Sequence, residues 1–441
     1  MKIAKIAVFH NFNIFFFVGA FILIFNPPLL SINAMHVVGI CSIAYIMLNI
    51  SKSVRVIRKN DISLMILGFC CIFAYLLVFV VVYNKMQLMD AIMPIYYLVD
   101  IIPFGISVRI YSNKHRCSSD NFIDLLIQAG KLEAILALLA FFIPSVHTFF
   151  LDKLVSYGYT DYFEYLANYR IYGFASSLTF AMPIVQTMFA LILLHPDKKG
   201  KMNIPWAIIL FVSAVINARV SIVVALVGIV VLILFGKISM QKKMFSIIAI
   251  AVVTIAFAAI GLPLIEQHAP WTYRWLVSGI EDIFAFLGGD NSSVYFSYAT
   301  AKEQYQLPES IVGFLVGEGH ITMGMKGVYG YESDVGYIND IWLGGAMYII
   351  ILYGFYIRYM LKLFKSKNST LSFIGIMMLV TIFVVNIKGI SFSKTSFNVF
   401  MFLLCIVEFS GLCKDKKSQE RPIKNENIGF VKPLHSKAKS E

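Results

Sequence analysis

The chain has 441 residues, of which 59% are hydrophobic and 14% charged, and its mean hydropathy is +0.77. These values lie well outside the range of ordinary soluble domains and exclude a soluble globular protein. The formal net charge of +12 would suit a nucleic-acid-binding protein, but the basic residues cluster in short loops between apolar runs, as in membrane proteins. We therefore expect a membrane protein that binds no nucleic acid.

Apolar segments recur along almost the whole chain and predict a polytopic, all-α membrane bundle of about twelve transmembrane helices. The predicted spans cover roughly residues 10–26, 33–50, 62–83, 92–110, 122–143, 176–194, 203–217, 220–236, 244–264, 341–361, 371–387 and 396–412. We expect residues 1–413 to form a single transmembrane domain whose first span is retained. The lysine-rich tail, residues 414–441, is predicted to be cytoplasmic and disordered.

The orientation follows from the loops, since clusters of lysine and arginine alternate with connections that are poor in both. Basic loops stay in the cytoplasm, so both termini are predicted to be cytoplasmic. Two long loops, residues 144–175 and 265–340, are then predicted to face outward. The cysteines show no Cys-x-x-Cys pair or metal-ligand spacing, and we expect no metal and no cofactor.

The first outward loop contains "YGYTDYFEYLANYRIYGF", in which tyrosine and phenylalanine recur and Arg170 is one of two bases. One interpretation is an aromatic belt in the membrane interface, with Arg170 bound to lipid headgroups. The other is a platform where tyrosines pack on sugar faces and Arg170 meets a phosphate.

Arg219 is predicted to lie below the outer membrane surface. Only 35 residues separate Lys201 from Lys237, both cytoplasmic, and two crossings would need about 40 residues. The turn therefore falls short of the surface, and its midpoint is Arg219 in "INARVSIVV". A charge at that depth costs about 2 to 3 kcal/mol. Either Arg219 snorkels to the headgroups, or it lines a cavity that binds an anion such as a lipid phosphate.

The second outward loop carries ten acidic residues and three basic ones, so Arg274 in "WTYRWL" stands out as a candidate anion ligand. Alternatively, Arg274 stacks on a tryptophan that anchors the interface. His320, in a glycine-rich turn, is either structural or a proton acceptor. Glu332 and Asp334 precede an apolar helix, where one carboxylate would serve as a cap and the second has no such explanation.

Within the fifth predicted span, Asp124, Gln128 and Lys131 share one helix face, with Glu133 nearby. We expect a polar seam inside the bundle, whose members mostly satisfy one another.

The layout resembles that of the Wzy-type O-antigen polymerases and the related O-antigen ligases. The resemblance covers most of residues 150–360 and rests on "YRIYGFASS", "NARVSIVVAL", the pair of glycines in "VGEGH", and "SDVGYINDIWLGGAMYIIILYG". It implies a glycosyltransferase of the bacterial inner membrane that joins undecaprenyl-diphosphate-linked oligosaccharide repeat units on the periplasmic side. It also implies that Arg170, Arg219 and Arg274 hold the diphosphate, and that a flippase and a chain-length regulator act beside the enzyme.

For the acceptor hydroxyl, the residues offer Asp334, Glu332 or His320 as the catalytic base. Ligases of this family typically carry a histidine near the end of the large loop, where this chain has "ESDVGY", and that difference favours a polymerase. An O-antigen ligase that transfers polymer to lipid A-core stays open as an alternative. So does a flippase or transporter of lipid-linked oligosaccharide.

Overall fold

The computed structural model describes residues 12–28, 33–58, 60–83, 93–156, 170, 172–178, 180–195, 202–289, 302–323, 332–392 and 395–409. Within these ranges the regular structure is entirely helical, which confirms the predicted all-α class. The tail after Phe409 and most of the tyrosine-rich stretch, residues 157–169, lie outside the described residues.

The helices are numbered here in chain order. They are α1 Ile14–Phe25, α2 Ala34–Leu48, α3 Ile50–Ile57, α4 Asn60–Tyr83, α5 Met93–His115, α6 Ser119–Phe142, α7 Pro144–Ser156, α8 Ala181–Leu194, α9 Ile204–Val215, α10 Val220–Phe235, α11 Met240–His268, α12 Pro270–Leu287, α13 Ile311–Val316, α14 Gly336–Phe364, α15 Ser369–Val385 and α16 Ser396–Phe409. Two π-helical segments interrupt α5 at Tyr97–Ile101 and α11 at Phe257–Gly261.

Five of the described helices, α4, α5, α6, α11 and α14, are long and apolar enough to cross a membrane. Helices α2 and α3 reach that length only as a pair, and they bend by 106° where they join. The remaining six apolar helices are shorter, at 12 to 17 residues. An apolar helix therefore lies at each predicted span, while the count of twelve crossings stays a prediction.

The centre of the bundle is formed by α8 and α16, which are buried on nearly all sides. Aromatic rings fill the space around α16, where Phe402 lies 5.0 to 5.2 Å from Phe69, Tyr97 and Tyr356 between ring centroids. By contrast, α4, α10 and α11 leave many apolar side chains exposed. An apolar exterior around an apolar interior suits a protein embedded in a membrane.

Two predicted boundaries near the second outward loop differ from the structure. Helix α11 continues to His268, past the predicted end at residue 264, and α14 begins at Gly336, where the prediction was residue 341. The polar residues Asn339 and Asp340 lower the hydropathy of the first turns of α14. Both are buried, so the helix includes them and begins before the predicted apolar span.

Candidate functional site

The connection between α9 and α10 is a tight turn that ends at Arg219, the residue before α10. The guanidinium Cζ of Arg219 lies 4.6 Å from the centroid of the Trp275 ring of α12. Its Nη2 donates to Ser278 Oγ at 2.9 Å and also to the carbonyl oxygen of Trp275. Gly279 makes this approach possible, because a Cβ there would collide with the guanidinium.

Arg170 approaches the same ring, with its Cζ 5.6 Å from the centroid of Trp275. The segment that carries it is fixed two residues later, at Tyr172. Asn217 accepts a hydrogen bond from the N–H of Tyr172 and donates one to its carbonyl oxygen, both at 2.7 Å. The Tyr172 hydroxyl lies 3.2 Å from Thr272 Oγ1 on α12. The turn before α10, the segment after Arg170 and α12 are thus bonded to one another.

Glu133 also fixes this segment, since its Oε1 accepts the N–H of Phe174 at 2.8 Å. Gly173 has φ +133, and a Cβ there would meet Glu133 Oε1 at 2.5 Å. Lys131 points elsewhere, with its Nζ over the Trp206 ring at 4.9 Å. Glu133 therefore has a partner outside the expected seam, whereas Lys131 lies in the field of Asp124, as expected from the sequence.

A third cation, Lys388, belongs to this group, although sequence reasoning missed it. The residue is exposed, yet the surrounding protein desolvates its ammonium and lowers the pKa of Lys388. The charge of Asp334 acts in the opposite direction, and the charges of Arg219 and Arg170 lower the pKa further. Its neighbour Gly389 lies against the ring of Phe180, so the connection between α15 and α16 contacts the segment that precedes α8.

Asp334 and Lys388 are brought together by a backbone contact between their segments. The N–H of Gly336 donates to the carbonyl oxygen of Asn386 at 2.9 Å, and each partner lies two residues from one member of the pair. The Asn386 side chain accepts the N–H of Ser391 at 2.8 Å, which holds the rest of this connection.

Below this contact lies a buried polar group that the sequence reasoning also missed. Tyr353 donates to Asp340 Oδ2, and Asn386 Nδ2 donates to the Tyr353 hydroxyl at 2.9 Å and to Asp340 Oδ2 at 3.3 Å. The three side chains satisfy one another and join α14 to the end of α15, so we assign them a structural role.

The carboxylate of Asp334 does not cap α14. The residue at the N-cap position is Val335, and this helix has no side-chain capping hydrogen bond. Gln304 fixes the backbone here instead: its Oε1 accepts the N–H of Asp334 at 3.0 Å, and its carbonyl oxygen accepts the Ser333 hydroxyl at 2.6 Å. Asp334 is therefore not the N-cap, while a favourable interaction of its charge with the helix dipole stays a prediction. Glu332 is half-buried at the start of the same segment.

Arg274 and His320 contact other aromatic rings than the Arg170–Arg219 pair does. Arg274 is exposed and stacks on the exposed Trp271, with its Cζ 5.6 Å from that ring centroid, as the interfacial-anchor interpretation expects. His320 is only 5% exposed, its ring packs 5.3 Å from that of Trp342, and its Nδ1 lies 3.4 Å from the carbonyl oxygen of Glu318. In this conformation His320 is enclosed by protein.

We call Arg170, Arg219 and Lys388, together with Trp275 and Asp334, the cationic cluster. It combines two guanidinium groups and one ammonium group with one carboxylate. The guanidinium groups can bind two phosphate oxygens at once, so these cations suit a phosphate or diphosphate. Among the described residues, no group of three or more His, Cys, Asp or Glu side chains could hold a metal ion. Comparisons with protein-family models, with curated proteins and with solved structures found no match to this chain.

Proposed function

We propose that the protein is an O-antigen polymerase of the bacterial inner membrane, a glycosyltransferase that joins undecaprenyl-diphosphate-linked repeat units on the periplasmic side. The observation that carries the proposal is the convergence of Arg170 and Arg219 on Trp275, within electrostatic range of Lys388. The three cations come from separate connections that the charge pattern of the loops assigns to the outward side. The resemblance described above agrees with this arrangement.

The cationic cluster suits the leaving group of such a reaction. When the acceptor hydroxyl attacks the anomeric carbon, the bond from that carbon to the diphosphate oxygen breaks and its electrons remain on the diphosphate. Fixed cations stabilise this charge more in the transition state than in the ground state, which accelerates the step. The leaving group is stable as an anion, so no acid needs to protonate it.

The acceptor oxygen forms the new bond to the anomeric carbon, and its proton goes to the carboxylate of Asp334. The backbone of Asp334 is fixed by Gln304, and its carboxylate lies in the field of Lys388. A base held beside the cations that bind the donor is positioned to receive the acceptor hydroxyl. Glu332 is the second candidate for this base, and His320 is the third because its side chain is buried.

The experiment that tests this function is deletion of the gene, followed by electrophoresis of the lipopolysaccharide. A polymerase predicts a core that bears a single repeat unit, with the ladder restored by the wild-type gene. A bare core with polymer accumulated on the lipid carrier would instead identify a ligase. Loss of all outward-facing units would identify a flippase. Either of these two results would overturn the proposal.

A flippase of lipid-linked oligosaccharide is the second candidate, because one observation favours it. Helix α14 is broken at Gly345, where φ is +70 and ψ is −176. Transporters commonly build their substrate sites from such discontinuous membrane helices. The same electrophoresis distinguishes the two functions, since a flippase mutant leaves no repeat units outside.

A further inference from the structure

The described part of the second outward loop includes residues 302–323, which follow α14 toward the membrane interior and then return. Gln304 bonds to Ser333 and Asp334, before the first turn of α14. Two residues later, the carbonyl oxygen of Gln306 accepts the indole N–H of Trp342 at 2.9 Å. On the return, the N–H of Glu318 donates to the Trp342 carbonyl oxygen at 2.7 Å.

The return ends at Asn339, whose Oδ1 accepts the N–H groups of Thr322 at 2.8 Å and Met323 at 3.0 Å. The segment therefore descends alongside α14 from its start to beyond Trp342 and rises again to Asn339. At about 1.5 Å per residue, six to nine residues of helix correspond to a descent of roughly 9 to 14 Å.

At its lowest point, the short helix α13 contacts the break in α14 backbone to backbone. A Cβ at Gly345 would lie 2.5 Å from the carbonyl carbon of Leu315, and a Cβ at Gly317 would lie 2.6 Å from Cα of Gly344. The hydroxyl of Tyr75 on α4 lies 2.8 Å from the carbonyl oxygen of Gly344 and 3.3 Å from that of Val316. Carbonyl oxygens that lose their intrahelical hydrogen bonds at the break thus accept hydrogen bonds from other groups of the protein. Irregular backbone at membrane depth requires such bonds.

Two independent positions place this contact within the membrane. Tyr75 lies eight residues before the end of α4 at Tyr83, which corresponds to about 12 Å of helix. On α14, the basic residue Arg358 marks the cytoplasmic side, and about 20 residues are needed to cross the hydrocarbon core from there. Counting back from Arg358 reaches Ile338, so Gly344 and Gly345 lie inside the outer leaflet.

The side of α13 that does not contact α14 is apolar and exposed. Ile311 is 79% exposed, Val312 61% and Leu315 45%, and the stretch from Ser310 to Gly317 carries no charge. The exposed surface of α14 below it is also apolar, with Ile350 73% exposed. Glu318 is half-buried, and its carboxylate lies against the first turn of α13 beside Gly313.

We propose that α13 is a re-entrant element of the outer leaflet, whose apolar face of Ile311, Val312 and Leu315 contacts lipid acyl chains. The second outward loop is then partly inside the membrane, whereas the charge pattern of the loops predicts that all of it is outside. This inference rests on the predicted membrane orientation and does not depend on the polymerase activity. Acyl chains fit the face because it lies directly above the apolar exterior of α14 and continues it toward the outer surface.

Spin-label accessibility tests the proposal on the purified chain in lipid nanodiscs, with the six natural cysteines replaced by serine. Labels are placed in Ile311→Cys and Val312→Cys, and their collision rates with oxygen and with a water-soluble nickel chelate are measured. Ile350→Cys on α14 is the lipid-facing control, and Glu281→Cys, exposed on α12, is the water-facing control. A single symmetric peak in size-exclusion chromatography, at the elution volume of the wild-type protein, shows that the cysteine-free background folds.

We expect labels at Ile311 and Val312 to match Ile350, with frequent oxygen collisions and several-fold fewer nickel collisions than at Glu281. Nickel collisions equal to those at Glu281 would place α13 in water and overturn the proposal. Low accessibility to both reagents would also overturn it, since protein would then cover the face. If Ile350 itself behaves like Glu281, this face of α14 is not embedded in lipid and the proposal is overturned, whatever the activity of the protein.

Discussion

Arg219 is the residue on which the proposed diphosphate site depends most. Its planar fork reaches Ser278 and the backbone of Trp275 while it stacks on the indole ring. A lysine would keep the charge but lose both the fork and the stacking. We expect Arg219→Lys to reduce polymerisation by about tenfold or more, because charge-assisted hydrogen bonds contribute about 1.5 to 3 kcal/mol each.

Arg274→Lys provides the matched control, since Arg274 is on the same outward surface but stacks only on the exposed Trp271. It should leave the ladder of lipopolysaccharide bands nearly unchanged at equal protein level. Equal ladders from both variants would return Arg219 to the snorkelling interpretation.

Asp334→Asn separates catalysis from structure at the start of α14. The carboxylate makes no capping hydrogen bond, so the substitution should leave the melting temperature of the purified protein unchanged. If Asp334 accepts the proton of the acceptor hydroxyl, polymerisation should fall by about 100-fold or more. Glu332→Gln, measured in parallel, should have the smaller effect. Full-length ladders from Asp334→Asn would exclude it as the base.

The lowered pKa of Lys388 predicts that the activity depends on pH. Desolvation, together with Arg219 and Arg170, lowers the pKa of Lys388 below its ordinary value of 10.5. The cationic form is the one that binds a diphosphate, so activity should decline as the pH rises through this lowered pKa. In Lys388→Arg the charge persists at high pH, and the decline should move to higher pH. Identical pH–rate profiles for the two proteins would remove Lys388 from the site.

At the scale of single residues, the sequence located part of the cationic cluster. The short sequence between Lys201 and Lys237 is enough to single out Arg219. Two crossings leave too few residues for the turn to reach the outer surface, and Arg219 lies at that turn. Lys388 was overlooked, although it is a base in a connection predicted to face outward, where lysine is uncommon. Nothing in the spacing indicated that Asn217 bonds to the backbone of Tyr172, since this contact depends on packing between distant segments. Nor did it indicate that Arg274 stacks on Trp271 of its own helix and not on Trp275.

At the scale of elements, the break in α14 is the feature with the clearest energetic test. Gly345 combines φ +70 with direct contact to the backbone of Leu315. Gly345→Ala should lower the free energy of unfolding by about 2 kcal/mol or more, since a side chain costs about 1 to 2 kcal/mol in that conformation and also clashes. Thermal unfolding in detergent would measure the shift.

Gly354 on the same helix is the control for Gly345, because a Cβ there would meet nothing within 4 Å. Gly354→Ala should stabilise the protein slightly, by up to about 1 kcal/mol, through helix propensity. Equal destabilisation by the two substitutions would contradict the proposed contact between α13 and α14.

Hydropathy located an apolar helix at each predicted span because long apolar segments give a strong, local signal. The predicted apolar span begins inside α14, because hydropathy does not record that the polar side chains of Asn339 and Asp340 find buried partners from elsewhere in the chain. Hydropathy assigns residues 311–316 to the outside, and the re-entrant position that we propose for α13 gives no hydropathy signal because a helix of six residues is too short to register as a span. Boundaries and re-entrant segments depend on tertiary contacts that hydropathy does not contain.

At the scale of the whole molecule, the orientation underlies each assignment to the outward side. Basic clusters alternate along the chain, so we expect both termini in the cytoplasm and residues 144–175 on the outside. A reporter fused at Asn291, a position outside the described residues, should report the periplasm. A cytoplasmic signal from that fusion would place the cationic cluster on the wrong side of the membrane for the proposed reaction.

The all-α architecture could be predicted from composition and periodicity, whereas the arrangement of helices around α8 and α16 could not. The order in which apolar helices pack depends on side-chain shape, for example the rings around Phe402, and hydropathy does not record shape. The same limitation applies to the cationic cluster, whose members come from connections far apart in the chain.

The most direct test of the central claim is reconstitution of the purified chain in lipid vesicles with single lipid-linked repeat units from the deletion strain. The account predicts that wild-type protein converts them into a ladder of longer lipid-linked chains, with one undecaprenyl diphosphate released for each unit joined. Vesicles with Arg219→Ala should show little or no elongation, while Arg274→Ala should elongate nearly as well as wild type. If the repeat units stay single in the presence of folded wild-type protein, the chain is not a polymerase.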